Sequence, residues 1–271
     1  MKNILILGGD SRNLELANIL KKDYKVETYG FNKQENLNEK IKQADAIITA
    51  IPITKDGKNV ILEFKEKLTI EELINLCENK KIITGKISLE NKQKLEQKNN
   101  NVIDILKLEE YAILNAQPTA EGAVQLAMEN TKKVLKGSNI LITGYGKIGK
   151  NLAQMLKNLN CNVYAAARKE TDFAIMESFG VKPLHYENLK HEIGIMDIIF
   201  NTVPHIILNK EELLNIKKQT PIIELASKPG GINLEQAQIL NLKIINGQGL
   251  PGKVAPQTSA EIIAKISHKY L

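Results

Sequence analysis

Short apolar runs alternate along this chain with longer stretches in which apolar residues recur every three or four positions. Runs such as residues 4–7, 46–50 and 140–142 have the length and composition of buried strands, and helical spacing follows each of them. Strands that alternate with helices favour a mostly parallel sheet covered by helices on its faces. The pattern therefore predicts an α/β protein.

The same pattern divides the 271 residues into two parts. A first series of alternating strands and helices ends near residue 115, and Pro118 and Gly122 mark the break that follows. A helix of residues 120–135 then leads into a second α/β segment. The predicted fold is two Rossmann-like, doubly wound parallel-sheet domains with a cleft between them. The predicted parts are an N-terminal substrate or partner domain (1–115), a connecting helix (116–137), a dinucleotide-binding domain (138–252) and a C-terminal helix that returns to the first domain (253–271).

The second domain opens with three glycines at a spacing typical of dinucleotide-binding folds. Gly144, Gly146 and Gly149 follow a buried strand and begin a segment of helical spacing, which is the context that this motif requires. The free N–H groups of the first helical turn would then face a pyrophosphate. The cofactor-binding residues predicted at this turn are Gly144, Tyr145, Gly146, Lys147, Ile148 and Gly149.

The next strand, residues 162–167, ends at Arg168 and not at an acidic residue. An acidic side chain at this place would bind the ribose 2′-hydroxyl of NAD, whereas an arginine suits the 2′-phosphate of NADP. Arg168 therefore predicts NADP as the cofactor. The alternative is a surface arginine with no ligand.

Later strand ends of the second domain carry the other candidate residues. Thr202, Val203 and Pro204 follow a buried strand and are predicted to contact the nicotinamide ribose, and His205 could relay a proton. The alternative for His205 is a helix-entry residue without chemistry. Ser227 and Lys228 could bind a substrate carboxylate or line the nicotinamide, and Lys253, in a further loop, is a comparable candidate. The alternative for each loop is a tight turn with an exposed lysine.

In the first domain, a glycine turn after the first strand leads to Asp10 and Arg12. Arg12 could hold a substrate carboxylate in bidentate fashion, and Asp10 is a second candidate for the proton acceptor. Thr54 and Lys86 follow neighbouring strands and are predicted to face the same cleft. Each of these residues could instead serve only the local structure of its loop.

Composition narrows the class of protein. The formal charge is +6, but the lysines are scattered among glutamates and aromatic residues make up only 4%, which argues against a nucleic-acid interface. No apolar run approaches the roughly 18 residues that a membrane span needs, and no signal peptide is predicted. Cys77 and Cys161 lie far apart, which favours a reducing cytoplasm and no metal site.

Seven short motifs, spread in order over nearly the whole chain, resemble the family of dipicolinate synthase A subunits. The glycine triplet alone would indicate only the wider superfamily, whereas the block at residues 250–256, Leu-Pro-Gly-Lys-Val-Ala-Pro, is far more specific. The matching segments are residues 7–12, 118–122, 144–149, 166–168, 201–204, 224–231 and 250–261.

The resemblance implies a specific reaction, cofactor and partner. Members of this family act in bacterial sporulation, in the mother cell, and oxidise a dihydrodipicolinate-type intermediate of the lysine pathway to pyridine-2,6-dicarboxylate. They use NADP and work with a second, flavoprotein-like chain, the B subunit of dipicolinate synthase. No catalytic residue is carried over from the family, so His205 and Asp10 both remain candidates.

Two other classes compete with this interpretation. One is a 2-hydroxyacid dehydrogenase-like oxidoreductase, although such enzymes need a late histidine and none occurs between His205 and His268. The other is a non-catalytic NADP-binding scaffold that activates a partner chain. Homodimer formation also fits the two-domain plan, although no residue fixes it.

Overall fold

The structure, a computed structural model, describes residues 1–31, 36–64 and 67–271. The chain forms two compact units, each built around its own parallel sheet. The first unit comprises Met1–Asn115 together with Ala255–Leu271, and the second comprises Ala116–Val254.

The first unit contains a parallel sheet with the strand order β2-β1-β3-β4-β5. Its strands are β1 (Asn3–Leu7), β2 (Lys25–Tyr29), β3 (Ala46–Thr49), β4 (Lys81–Thr84) and β5 (Asn101–Asp104). Its helices are α1 (Ser11–Leu20), α2 (Leu37–Gln43), α3 (Ile70–Leu76), α4 (Leu89–Glu96) and the first part of α5 (Glu109–Asn130), with a 3₁₀ turn at Ile105–Lys107. Thr69 and Glu72 form a capping box at the start of α3.

The C-terminal helix belongs to the core of this first unit. Helix α12 (Pro256–Ser267) packs against α1. Its apolar residues Ile262, Ile263 and Ile266 share one buried cluster with Leu16 and Leu20 of α1. This confirms the prediction that the last helix returns to the first domain.

The second unit contains a six-stranded parallel sheet with the order β11-β10-β9-β6-β7-β8. Its strands are β6 (Asn139–Thr143), β7 (Asn162–Ala167), β8 (Lys182–His185), β9 (Ile198–Asn201), β10 (Ile222–Glu224) and β11 (Ile244–Asn246). Its helices are α6 (Lys147–Asn158), α7 (Glu170–Ser178), α8 (Leu189–Glu192), α9 (Lys210–Leu214), α10 (Leu234–Ile239) and α11 (Leu250–Val254), with 3₁₀ turns at Tyr186–Asn188 and Ile193–Ile195.

Counted from β6, this arrangement is the 3-2-1-4-5-6 strand order of dinucleotide-binding folds. Such sheets bind their ligand beyond the carboxyl ends of the strands, at the point where the strand order reverses. Here that point lies between β6 and its neighbour β9, which pair through Thr143 and Asn201. The predicted fold class, two α/β domains with parallel sheets, is confirmed.

One predicted helix start is wrong. We expected a break at residues 115–122, but helix α5 runs through Pro118 from Glu109 to Asn130. Proline inside a helix costs about 3 kcal/mol because it lacks an N–H donor and crowds the preceding turn. The helix also places small apolar side chains along one fully buried face, and burial of that face outweighs the local cost. These residues are Ala116, Ala120, Ala123 and Ala127.

Within the described ranges, no helix is both long and apolar enough to cross a bilayer.

Candidate dinucleotide site

The turn after β6 brings two loops of the second unit together. Gly144 has a φ of 93°, a conformation that glycine adopts without strain. A Cβ atom added there would lie 2.5 Å from Oγ1 of Thr202 and 2.8 Å from Cγ2 of Val203. The loop after β6 therefore touches the loop after β9 at the switch point of the sheet, and only glycine fits this contact.

Gly149 lets helix α6 approach the strand. A Cβ atom at this position would lie 2.2 Å from the carbonyl oxygen of Gly144, which is far inside contact distance. Tyr145 is buried and belongs to the core of this unit, and Ile148 packs against that core. Their side chains are thus engaged in packing, which leaves their backbone groups for a ligand.

The N-terminus of α6 is open towards a ligand. Gly146 is its N-cap, with an extended φ of −81°, and no side chain in the described part of the chain caps the helix. A Cβ built on Gly146 meets no described atom within 4 Å. The first turn carries Lys147 and Lys150 and no acidic residue. This arrangement of backbone N–H groups fits a pyrophosphate.

Arg168 lies directly after β7, and its side chain is exposed. The neighbouring hydroxyl of Tyr186 donates a hydrogen bond to the carbonyl oxygen of Ala166 at 3.1 Å. Burial raises the pKa of Tyr186, and the positive charge of Arg168 acts in the opposite direction. Arg168 thus lies at the carboxyl end of β7, the strand beside β6, where a ribose would be expected.

The loop after β9 is held by its own hydrogen bonds. The hydroxyl of Thr202 donates to the carbonyl oxygen of Thr143 at 2.8 Å, and the backbone N–H of Val203 donates to Oδ1 of Asn201 at 3.2 Å. Pro204 and His205 are exposed at the tip of the loop. His205 is thus accessible to a ligand at this edge.

A buried polar network beneath these loops was not predicted. The side chains of Thr143, Asn201 and Glu224, each at the carboxyl end of its strand, form a hydrogen-bonded chain. All three are buried. The sequence does contain a signal for this network, because each of these polar residues ends an otherwise apolar strand.

The remaining candidates of this unit lie on its surface. Ser227 and Lys228 are exposed in the turn after β10, next to a cis peptide bond between Lys228 and Pro229. Lys253 is exposed in α11. These polar groups are accessible, and none of them is buried in the core.

In the first unit, Arg12 and Asp10 bind each other. The Nε and Nη2 atoms of Arg12 donate to the two carboxylate oxygens of Asp10 at 2.9 and 2.8 Å, and Nη2 also donates to the carbonyl oxygen of Ile51. Burial raises the pKa of Asp10, but the hydrogen bonds and charge of Arg12 outweigh it and hold the pKa below its usual 3.8. The Nε and Nη2 donors of Arg12, which could have bound a substrate carboxylate in bidentate fashion, therefore already bind the carboxylate of Asp10.

Thr54 and Lys86 stabilise the loops in which they lie. The Thr54 hydroxyl accepts from the backbone N–H of Gly57 at 2.9 Å and donates to Asp56 at 3.0 Å. Lys86 has a positive φ of 62°, and its backbone N–H donates to Asp104 at 3.2 Å. The amine of Lys86 is exposed, whereas Thr54 is buried. Among the residues that the structure describes, no group of three or more His, Cys, Asp or Glu side chains could hold a metal ion.

The strand order, the glycine turn and the open helix N-terminus define a dinucleotide-binding α/β protein of dehydrogenase type. Two family models agree: residues 3–106 match the N-terminal domain of the dipicolinate synthase A subunit, and residues 109–239 match the NAD-binding domain of D-isomer specific 2-hydroxyacid dehydrogenases. The chain is 30% identical to the dipicolinate synthase A subunit of Bacillus subtilis, over 99% of this chain and 95% of that protein. The chain belongs to the family of dipicolinate synthase A subunits.

Solved structures give the same result. The crystal structure of the dipicolinate synthase A subunit from Bacillus halodurans matches with a TM-score of 0.91 and 28% identity, over 99% of this chain and 97% of that one. A transhydrogenase from Sinorhizobium meliloti matches with a TM-score of 0.70 at 15% identity, over 98% and 94% of the two chains, which shows the shared fold alone. The match of residues 109–239 to an NAD-binding family model indicates a nicotinamide cofactor for the second unit.

Proposed function

We propose that this chain is the NADP-dependent oxidoreductase component of a dipicolinate synthase. Its substrate would be 4-hydroxy-tetrahydrodipicolinate, which loses water to give dihydrodipicolinate. Loss of a hydride and a proton from dihydrodipicolinate then gives aromatic dipicolinic acid. The bound cofactor would supply the hydride acceptor, and the protein would supply orientation and a proton acceptor. The observation that carries the proposal is the open N-terminus of α6 beside the glycine turn, in a chain of this family.

The proposed cofactor contacts follow from the site. The backbone around Gly144 and Gly146 and the first turn of α6 would hold the pyrophosphate, and Arg168 would bind the 2′-phosphate of NADP. The loop of Thr202, Val203 and Pro204 would border the nicotinamide ribose. Exposure of Arg168 next to β7 supports this assignment.

Of the two candidate proton acceptors, His205 is the better supported. Asp10 is held as a carboxylate with a lowered pKa, because Arg12 donates two hydrogen bonds to it, and such a group is a weak base. His205 is exposed at the carboxyl edge of the second sheet. An imidazole that is neutral near pH 7 can accept the proton that leaves the ring.

A dicarboxylate substrate needs cationic and hydroxyl donors. We assign this role to Arg12, Lys86, Ser227, Lys228 and Lys253. The hydroxyl of Thr54 would join them only by giving up its hydrogen bond to Asp56, because its one proton is donated there. Arg12 retains its Nη1 donors for a carboxylate, since Asp10 and Ile51 engage Nε and Nη2. A substrate carboxylate would therefore bind Arg12 through Nη1, unless it displaces Asp10.

The wider assignments are also proposals. Residues 1–115 with 253–271 would form the substrate or partner domain and residues 138–252 the cofactor domain. Residues 116–137, which contain the second part of α5 and the turn after it, would connect them. The dipicolinate synthase B subunit, a flavoprotein-like chain, would be the partner, in the cytoplasm of a sporulating mother cell. Family membership supports each of these assignments.

The test uses the chain co-purified with this B subunit and freshly made 4-hydroxy-tetrahydrodipicolinate. Dipicolinate formation is followed by absorbance with NADP, with NAD and with neither. We expect turnover that requires NADP and that Arg168→Asp weakens at least tenfold, because a charge-assisted hydrogen bond to phosphate is worth about 1.5–3 kcal/mol. Lys218→Asp, the same charge change near the amino end of β10, is the matched control and should leave turnover unchanged.

Three results would overturn parts of the proposal. Equal rates with NAD and NADP would remove Arg168 as the selector. Tight NADP binding without any cofactor dependence of turnover would leave the scaffold role. Reduction of a 2-oxo acid in place of dipicolinate formation would instead indicate the 2-hydroxyacid dehydrogenase class.

A further inference from the structure

The carboxylate of Glu224 is enclosed at the carboxyl edge of the second sheet. Its Oε1 atom accepts hydrogen bonds from the side-chain amide of Asn201 at 2.6 Å and from the backbone N–H of Ala226 at 3.0 Å. Its Oε2 atom accepts from the backbone N–H of Gly231 at 2.9 Å. Glu224 is only 8% exposed. The turn of residues 226–231 is therefore wrapped around this side chain.

The contacts identify the group as an ionised carboxylate. Both of its oxygens accept hydrogen bonds from N–H donors, and a protonated acid would have to donate one. The side-chain amide of Asn201 is oriented so that its Nδ2 donates to Glu224, while its Oδ1 accepts a hydrogen bond from the Thr143 hydroxyl at 2.6 Å. None of the three donors to the carboxylate is a cation. Among the residues that the structure describes, no cation forms an ion pair with this carboxylate, so backbone and amide dipoles hold its negative charge.

This charge lies close to the dinucleotide site. Only Asn201 stands between Glu224 and Thr143, the residue that precedes Gly144. In this fold each half of the sheet receives one mononucleotide, and the half formed by β9, β10 and β11 receives the nicotinamide end. Glu224 ends β10, in the middle of that half.

We propose that Glu224 is a positioning residue whose buried negative charge favours the oxidised form of the nicotinamide cofactor. The oxidised ring carries a positive charge and the reduced ring is neutral, so a nearby buried anion stabilises the two forms unequally. Buried charges are also screened little by salt. The inference rests on the proposed oxidoreductase function, and it gives this unit a preference for the cofactor form that accepts a hydride.

Three variants separate charge from structure. Glu224→Gln removes the charge at nearly constant size, and Glu224→Asp retains the charge on a shorter side chain. Thr143→Val removes the hydroxyl at the far end of the network and leaves the carboxylate in place. If loosening of the loops alone altered the affinity for the cofactor, all three variants should show the change. An effect of the lost charge should appear only in Glu224→Gln.

The measurement is the dissociation constant of the full chain for NADP and NADPH, and for NAD and NADH, by calorimetry, with melting curves as the test of folding. We expect wild-type protein to bind the oxidised form at least as tightly as the reduced form. Glu224→Gln should shift the oxidised-to-reduced affinity ratio towards the reduced form by roughly three- to tenfold, which is what Coulomb's law gives for unit charges about 12–25 Å apart at an effective dielectric constant of about 20. Glu224→Asp and Thr143→Val should leave the ratio unchanged.

The inference is overturned if Glu224→Gln leaves the ratio unchanged or if Thr143→Val shifts it equally. Much tighter binding of the reduced form by wild-type protein overturns it without any variant, so the test survives a variant that does not fold. Wild-type protein that binds none of the four nucleotides refutes the proposed function itself, which distinguishes the two failures.

Discussion

The two units place a glycine-containing turn at the same point, between the first strand of a parallel sheet and the helix that follows, and they use it in opposite ways. In the first unit Asp10 is the N-cap of α1, and its carboxylate accepts the backbone N–H of Arg12 at 3.1 Å. In the second unit Gly146 is the N-cap of α6 and offers no side chain. The carboxylate of Asp10 caps the N-terminus of α1, whereas no side chain in the described part of the chain caps the N-terminus of α6.

The glycines of the two turns differ accordingly. A Cβ at Gly9 would lie 2.0 Å from Oδ1 of Asn13, which closes the capping box of α1. At Gly146 the same test meets no atom within 4 Å among the described residues. Glycine thus serves the internal contacts of the protein in the first turn, whereas in the second it leaves space beside the helix, which we propose that the cofactor occupies. A glycine-rich turn after a strand does not by itself indicate an anion site.

The largest expected effect comes from giving the second turn the cap of the first. Gly146→Asp should weaken cofactor binding about a hundredfold, because a carboxylate at the helix N-terminus repels a pyrophosphate at a cost of several kcal/mol. The same change should raise the free energy of unfolding by only a few tenths of a kcal/mol, because Asp is a better N-cap than Gly by about that much and the backbone at Gly146, with a φ of −81°, suits any residue. Calorimetric titration and urea unfolding measure the two effects.

Gly146→Asn is the matched control, because it adds a cap of the same size without charge. It should weaken cofactor binding less than the aspartate does. Equal affinity of the aspartate variant and the wild type would show that the N-terminus of α6 does not bind the phosphates.

The second prediction concerns the contact between the two loops. Gly144→Ala should destabilise the second unit by about 2 kcal/mol, through the positive φ and the approach of the new methyl group to Thr202. Gly137 also has a positive φ, of 77°, but its Cβ would meet no described atom within 4 Å. Gly137→Ala should therefore lower the free energy of unfolding by about 1 kcal/mol, because only the positive φ is unfavourable for alanine there. Equal losses in urea unfolding would contradict the loop contact.

Much of the fold could be predicted from the sequence because the strands are short, apolar and bounded by turn residues. The limits appear where local rules compete with packing. Pro118 predicted a break, but the buried alanine face of α5 keeps the helix continuous. Helix α2 was not predicted, since Ile41 is its only buried residue and the pattern is weak.

The candidate site could be predicted only in part, for a related reason. The glycine motif could be predicted because it specifies a local backbone conformation, and its three residues lie close together in the sequence. The pairing of Asp10 with Arg12 and the chain from Thr143 through Asn201 to Glu224 depend on which side chains meet in space. Asn201 and Glu224 are 23 residues apart, so spacing along the chain carries no information about their contact.

The third prediction uses pH to test the cap of the first unit. The lowered pKa of Asp10 means that its charge stabilises the fold above the unfolded pKa of about 3.9, and that this contribution is lost as the pH falls through the lower, folded pKa. Asp10→Asn retains a capping oxygen but removes the charge that faces Arg12. Since the Asp10 side chain is 49% exposed, solvent screening limits the loss at pH 7 to about 0.5–1 kcal/mol.

The difference between Asp10→Asn and wild type should shrink towards zero in acid, because the wild-type carboxyl is then protonated as well. Hydrogen–deuterium exchange of peptides from residues 1–31 would measure this unit separately from the second one. A difference that grows as the pH falls would show that the charge of Asp10 does not stabilise the turn. Cofactor affinity serves as the internal control and should not change.

The smallest expected effect tests whether a cation assists the open helix end. Lys150 lies in the first turn of α6, but its Nζ atom is 3.4 Å from a carboxylate oxygen of Asp172 and 5.5 Å from the centre of the Tyr145 ring. Lys150→Met should therefore change cofactor affinity less than about twofold and stability by less than about 0.5 kcal/mol, as is usual for an exposed ion pair. Arg168→Met, by contrast, should cost about tenfold in NADP affinity. A tenfold loss in Lys150→Met would mean that this side chain leaves Asp172 to bind phosphate, and that backbone N–H groups alone do not make the site.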